Sequence, residues 1–329
     1  MKKAACILLI TISNCIYAQD ALIQEKAAFA QHKLMMICQR LYHSKTNLLD
    51  IEKEKINTEL VNQFEELLNE PNSFNYSFDS LKTEMAILTS PDNTFRIINW
   101  NVPMNDETQE YFGFIQEKYT QIIKKGLFKK EKSEIMQVYP LIDKSSEIKN
   151  PDNAVTDNKK WLGALYNKII LKKTKSKTYY TLLAWDGNDK FSRKKIIDVL
   201  TFDENGSPRF GAAIFNMKKK FPKRVIFEYS ATCNMSLKYS NKKDSIIFDH
   251  LSPTSPQLEG QFQYYCSDMS YDGFGFKKGK WNYGEDLNAT NEKDEKDKLY
   301  HDPHDRSQSK DQSNQYKDPN KKKKKGKGN

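Results

Sequence analysis

Residues suited to chemistry concentrate in one stretch, Tyr179-Tyr-Thr-Leu-Leu-Ala-Trp185-Asp-Gly-Asn-Asp189. Asp186, Asn188 and Asp189 supply hard oxygen ligands on a glycine-bent loop, a donor set that suits Ca²⁺ better than Zn²⁺. The loop lacks the full ligand spacing and terminal bidentate glutamate of a helix–loop–helix calcium site, so a polar hairpin connection is the plainer reading. We therefore expect no metal and no cofactor, and place candidate ligand-binding residues at Asp186, Asn188, Asp189 and Asp272.

Glycoside hydrolysis needs two carboxyl groups flanking one bond. Asp186, Asp198, Glu228, Asp249 and Asp272 are the candidates in the body of the chain. Tyr264, Tyr265, Tyr271, Phe274 and Trp281 could stack on sugar rings, although core packing accounts for such aromatics equally well. Nucleophilic catalysis has little to stand on, because no Gly-x-Ser-x-Gly elbow is present. Asp249-His250 sets an acid beside a base, but neighbouring strand residues face opposite ways. No cysteine has a histidine within several residues. His301 and His304 flank Pro303 in a polar tail, a poor setting for a preformed metal site.

The elements that must position these residues follow from periodicity. Residues 21–42 and 49–68 carry apolar side chains at helical spacing and predict a helical hairpin closed by Pro71. From residue 72 the period changes. Phe74, Tyr76 and Phe78 alternate with polar residues and predict a strand. Strands are also expected over 85–88, 94–100, 110–118 and 135–141, with a helix over 160–171. Asp203-Glu-Asn-Gly206 is a hairpin signal, since Asn-Gly accepts the positive φ of tight turns. Further strands are expected over 209–215, 224–229, 235–239, 245–251, 261–266 and 273–283, together forming one antiparallel meander. Cys233 and Cys266 lie in β-rich sequence and could pair, while Cys38 falls on the first helix.

The central stretch has an echo. Phe95-Arg-Ile-Ile-Asn-Trp100-Asn101 aligns without gaps on Tyr180-Thr-Leu-Leu-Ala-Trp185-Asp186, and Tyr111-Phe112 lies as far beyond its Trp as Ile196-Ile197 does. The shared apolar strand and Trp point to packing, which places Trp185 in the core. The acidic loop is not shared, so a site there belongs to the second copy.

Of the +10 net charge, about +2 lies at Lys2-Lys3 and about +6 in the last thirteen residues, while 285–316 is acidic at about −4. The Lys-rich end offers nucleic acid only non-specific attraction. Met1-Lys2-Lys3 followed by an apolar run to Ile12 predicts a signal peptide over residues 1–18. Cys15 raises a lipid anchor, which Asn14 before it fits poorly. No later stretch is apolar enough to span a bilayer. Residues 288–329 are too polar to bury a core and are expected to be disordered.

Leu88-Thr-Ser-Pro-Asp92, Phe95-Arg-Ile-Ile-Asn-Trp100, Tyr111-Phe-Gly-Phe-Ile-Gln116, Asp157-Asn-Lys-Lys-Trp161, Leu183-Ala-Trp-Asp-Gly-Asn-Asp189, Lys195-Ile-Ile-Asp-Val-Leu200, Val225-Ile-Phe-Glu-Tyr229 and Phe248-Asp-His-Leu-Ser-Pro253 carry a resemblance. Over roughly residues 70–288 the chain resembles an uncharacterised family of exported proteins from Bacteroidetes-type bacteria. The resemblance implies an envelope or secreted location and supplies no catalytic residues.

The expected architecture is α+β: a helical segment (19–71) packed on a large antiparallel β-meander, sandwich or barrel-like (72–287). The expected role is non-catalytic binding or structural support, with an unknown envelope or extracellular partner. The alternative is an extracytoplasmic hydrolase using paired carboxylates on carbohydrate.

Overall fold

The helical spacing of the N-terminal apolar residues is realised as two helices, α1 (residues 25–42) and α2 (Asp50–Leu68). Their buried faces carry Leu34, Ile37 and Cys38 on the first and Leu60, Phe64 and Leu68 on the second. The Glu52 carboxylate accepts the Leu49 N–H at 2.8 Å and so satisfies a donor at the start of α2. The computed structural model describes residues 25–125, 129–218 and 220–285; the expected signal peptide and charged tail lie outside them.

Residues 73–83 correct the first strand expected from the sequence. They form two short 3-10 turns, Ser73–Asn75 and Asp79–Thr83, with Asn72 and Phe78 in the left-handed region. The alternation does bury Phe74, Tyr76 and Phe78. What prevents a strand is Arg96, which is buried. Its guanidinium donates to the Tyr76 and Ser73 carbonyls at 2.8 and 2.7 Å and lies 4.7 Å from the centre of the Phe78 ring. Backbone acceptors that a neighbouring strand would use are taken by one side chain.

The first sheet is an antiparallel meander of β1 (Ala86–Thr89), β2 (Phe95–Pro103), β3 (Gln109–Lys125) and β4 (Lys129–Ile142). The second contains β5 (Thr156–Asp157), β6 (Leu165–Lys173), β7 (Thr178–Asp186), β8 (Ser192–Phe202) and β9 (Pro208–Phe210), in the order β5-β9-β8-β7-β6. The chain then gives β10 (Phe215–Asn216) and β11 (Val225–Ser230). Strand β11 returns to pair with the first half of β8. The third sheet, ordered β10-β15-β14-β13-β12, adds β12 (Leu237–Ser240), β13 (Ser245–Pro253), β14 (Tyr265–Lys277) and β15 (Lys280–Gly284), with β10 and β15 parallel. A disulfide joins Cys233 to Cys266, and Cys38 is a buried free thiol.

Among the described residues, three cores separate four layers. The helices pack on one face of the first sheet through Phe64, Ile98, Trp100 and Phe114. Phe95, Ile97, Ile115, Leu182, Ala184 and Ile196 fill the space between the first and second sheets. Leu183, Ile197, Val199, Phe248, Phe274 and Trp281 fill the space between the second and third. A single meander, as expected from strand spacing, offers one core face to each strand. Strands β2, β7 and β8 carry runs buried on both faces, which require a layer on each side.

The helix expected over 160–171 is instead a short connection leading into β6. A bulge at Asn167 shifts the register, so Tyr166 and Ile169 face the same core although three residues apart. That spacing imitates a helical repeat. The stretch 209–215 is likewise split at Gly211, whose φ is +89°.

The echo has a structural counterpart. Residues that align between the two hairpins face each other across the middle core, and the aligned rings of Phe95 and Tyr180 meet edge-on at 4.7 Å. Trp100 and Trp185, one position out of phase with those residues, point away from that core. Trp100 is fully buried against the helices and donates to Asn57 Oδ1 at 2.7 Å. Trp185 is only half-buried and lines a second surface cleft beside Leu88 and Leu165. Its expected place in the core is therefore corrected: the two described helices pack over the first copy, at Trp100, and not over Trp185.

Candidate functional site

Strand parity dictates where the middle core ends. On β7, Leu182 and Ala184 face that core, so Asp186 must face the same way at the strand's end. Asp186 pairs with Lys194 on β8, and Lys194 pairs with Glu228 on β11. The next row inward is Ala184, Ile196 and Ile226. An apolar interlayer thus ends in a polar row of carboxylate, ammonium and carboxylate across three strands. With neighbouring strands ~4.8 Å apart, the outer two stand about 10 Å apart at the backbone.

This row floors a cleft of about 500 Å³. Tyr111 and Gln109 of β3 line it from the first sheet, Asp143, Ser145, Asp152 and Gly163 from the connections around β5, and Phe262 from the turn before β14. Two glycines allow the close approach. A Cβ on Gly163 would lie 2.2 Å from Asp143 Oδ2, and one on Gly187 would lie 2.7 Å from Gln109 Cγ.

Most of the polar atoms are held by the protein itself. Asp186 Oδ1 accepts from the Tyr111 hydroxyl at 2.9 Å and the Asn188 N–H at 2.7 Å, and Oδ2 lies 3.8 Å from the Lys194 ammonium. Lys194 donates to Asn188 Oδ1 at 2.5 Å. Asn188 donates to Ser192 Oγ at 2.8 Å, and that hydroxyl donates to Glu228 Oε1 at 2.6 Å. Asp189 accepts the Phe191 and Ser192 N–H groups at 2.7 and 3.0 Å, closing the turn. Asp143 Oδ1 accepts from the Ser145 N–H and hydroxyl at 2.9 and 2.6 Å.

Burial raises the Asp186 carboxyl above its ordinary range, against the lowering effects of the Asn188 N–H, Lys194 and Tyr111; the Asp143 charge adds to the rise. Burial also raises Asp152, opposed by Arg224. Tyr111 is pushed well above the usual phenol range, first by burial and then by the Asp186 charge.

A buried ion pair fixes the far wall. Arg224 Nε donates to Asp198 Oδ2 at 2.7 Å with both side chains removed from solvent, and Arg224 Nη1 donates to the Pro151 carbonyl at 2.5 Å. The Lys223 and Arg224 N–H groups both donate to the Asp152 carbonyl. Asp198 therefore holds the loop that carries Asp152 and does not reach the cleft.

Of the residues singled out in sequence, Asp186, Asn188 and Glu228 reach the cleft and Asp189 shapes its rim turn. Asp272 does not join them: it is buried on β14 with its carboxylate accepting the Tyr283 hydroxyl at 2.5 Å. Asp249 accepts the Ser236 N–H, and His250 Nδ1 lies 2.7 Å from Asp268 on the third sheet. Phe274 and Trp281 are core, whereas Tyr264 and Tyr271 are exposed. The loop oxygens weighed against Ca²⁺ binding in the sequence are turned onto N–H, hydroxyl and ammonium donors. Among the described residues no group of three His, Cys, Asp or Glu side chains converges as a metal site. Lys194, Tyr111, Asp143, Asp152 and Phe262 were missed. Lys194 and Tyr111 carried a signal in the echo, which pairs Gln109 with Lys194 and Tyr111 with Ile196.

Comparison with family models, with curated proteins and with solved structures found no match to this chain.

Proposed function

We propose that this is an exported, non-catalytic binding protein whose ligand site is the cleft between the first and second sheets. The observation that carries this reading is the row Asp186–Lys194–Glu228. Two carboxylates on one cleft floor invite a hydrolase, but the position between them is taken by a lysine. Inverting hydrolysis needs a water there, and retaining hydrolysis needs the carboxyls only about 5 Å apart. Both carboxylates are also tied to protein donors, an arrangement that supports a fixed recognition surface. Export is supported by the basic and apolar N-terminal run and by the Cys233–Cys266 disulfide. No helix among the described residues is long and apolar enough to cross a membrane.

The test has two arms. Thermal-shift screening against small polar compounds should find stabilisers of the full chain, and Ile226→Trp, which fills the cleft, should abolish their effect. Chromogenic glycosides should show no turnover above buffer. Turnover that vanishes in both Asp186→Asn and Glu228→Gln would replace the binding reading with the hydrolase.

A further inference from the structure

The cleft is chemically lopsided. Among the described residues, Asp143, Asp152, Asp186 and Glu228 line it against a single ammonium, Lys194, which already serves Asn188 Oδ1. Yet the whole chain carries a net charge of +10. The concentration of carboxylates is therefore local to one concave surface and does not follow from composition. Carboxylates held in a half-enclosed cavity cost solvation free energy unless a cation accompanies them. The raised Asp152 and Asp186 carboxyls accord with that cost.

The rest of the lining is apolar. Ile196, Ile226 and Leu162 continue the middle core into the cleft, and Phe262 stands at its lip with 46% of its surface exposed. An exposed aromatic beside anionic acceptors suits a cation on a short hydrocarbon, which gains from the ring face as well as from the charge. The carboxylates are acceptors only, so they favour a cation with N–H groups to donate.

We propose that the ligand of this cleft carries a protonated primary amine on a short apolar body. This rests on the cleft being the binding site. The ammonium is held by Asp152 and Glu228 and the apolar body lies along Ile196, Ile226 and Phe262. Lys194 keeps Asp186 engaged at the floor.

The test titrates the full chain at low ionic strength with four probes: 1,4-diaminobutane, its neutral counterpart 1,4-butanediol, tetramethylammonium, and glucose as a neutral sugar. The amide resonances of Gly163 and Gly187 report on the cleft. The diamine should move both and register heat, the diol should do neither, and tetramethylammonium should bind at least about tenfold more weakly. Asp152→Asn and Glu228→Gln should each weaken the diamine about tenfold. The two variants serve as mutual checks against misfolding. Equal binding of diol and diamine overturns the proposal, as does diamine binding that leaves Gly163 and Gly187 unmoved. A neutral sugar that moves those amides where the diamine does not would overturn the amine while leaving the cleft as the site. A stabilising compound that still acts on Ile226→Trp would instead remove the cleft.

Discussion

Glu117 shows how a single side chain couples this fold to pH. It lies half-buried at the end of the β2–β3 pairing, beside Gly206 and the Tyr139 hydroxyl. Burial alone raises its carboxyl to about 7. In the unfolded chain a glutamate titrates near ~4.3, so between those values the native state binds more protons. Stability from this group is present at low pH and is lost as pH rises from about 4 through about 7. Glu117→Gln should therefore raise the unfolding free energy at pH 8 by about 1–2 kcal/mol once solvent screening is allowed for. It should also flatten the stability profile over that window. A variant no more stable than the parent at pH 8 would show that the native carboxyl ionises at little cost. At Gly163 the constraint is steric instead. Gly163→Ala sets a methyl against the Asp143 carboxylate and should cost about 1–3 kcal/mol by denaturant unfolding, with the cleft wall displaced.

At the scale of elements, Asp198 and Arg224 decide whether the wall carrying Asp152 stays in place. Arg224→Met leaves the Asp198 charge buried and alone, and should cost about 3–5 kcal/mol. Arg224→Met combined with Asp198→Leu should recover most of that stability. The double variant should nonetheless lose ligand response in the cleft, because the Pro151–Asp152 loop loses its guanidinium anchor. Full response in a stable double variant would detach the loop from the site. This arrangement was hidden in the sequence for a physical reason: Asp198 and Arg224 sit 26 positions apart and meet only because β11 turns back onto β8. The helical hairpin and most strands were legible, since their apolar periods survive in the fold. The failures came where the local period misled. The bulge at Asn167 made β6 resemble a helix, and Arg96 took the carbonyls that residues 73–78 would have offered a neighbour. Asp186 could be singled out because its loop breaks the echo. That Lys194 and Glu228 stand in one row with it follows from strand register, which the sequence does not state.

The described residues form a stack of layers, and the turn leading into β14 of the third sheet contributes Phe262 to a cleft formed between the other two sheets. One covalent link bears on this. Cys233 follows β11, the strand that carries Glu228, and Cys266 begins β14 just after the turn that carries Phe262. The disulfide thus ties the aromatic lip to the strand beneath it, across a separation of 33 residues. Closing a loop of that length stabilises a fold by about 3–4 kcal/mol through the unfolded chain. Cys233→Ser with Cys266→Ser should lower unfolding stability by about that amount. Because the second and third sheets also share a core through Val199, Phe248 and Phe274, the layers should stay associated and near-ultraviolet dichroism should be retained. The freed turn should then weaken ligand binding chiefly through faster dissociation, with association little changed. Unaltered dissociation in the double serine variant would mean that the third sheet holds Phe262 without help from the disulfide.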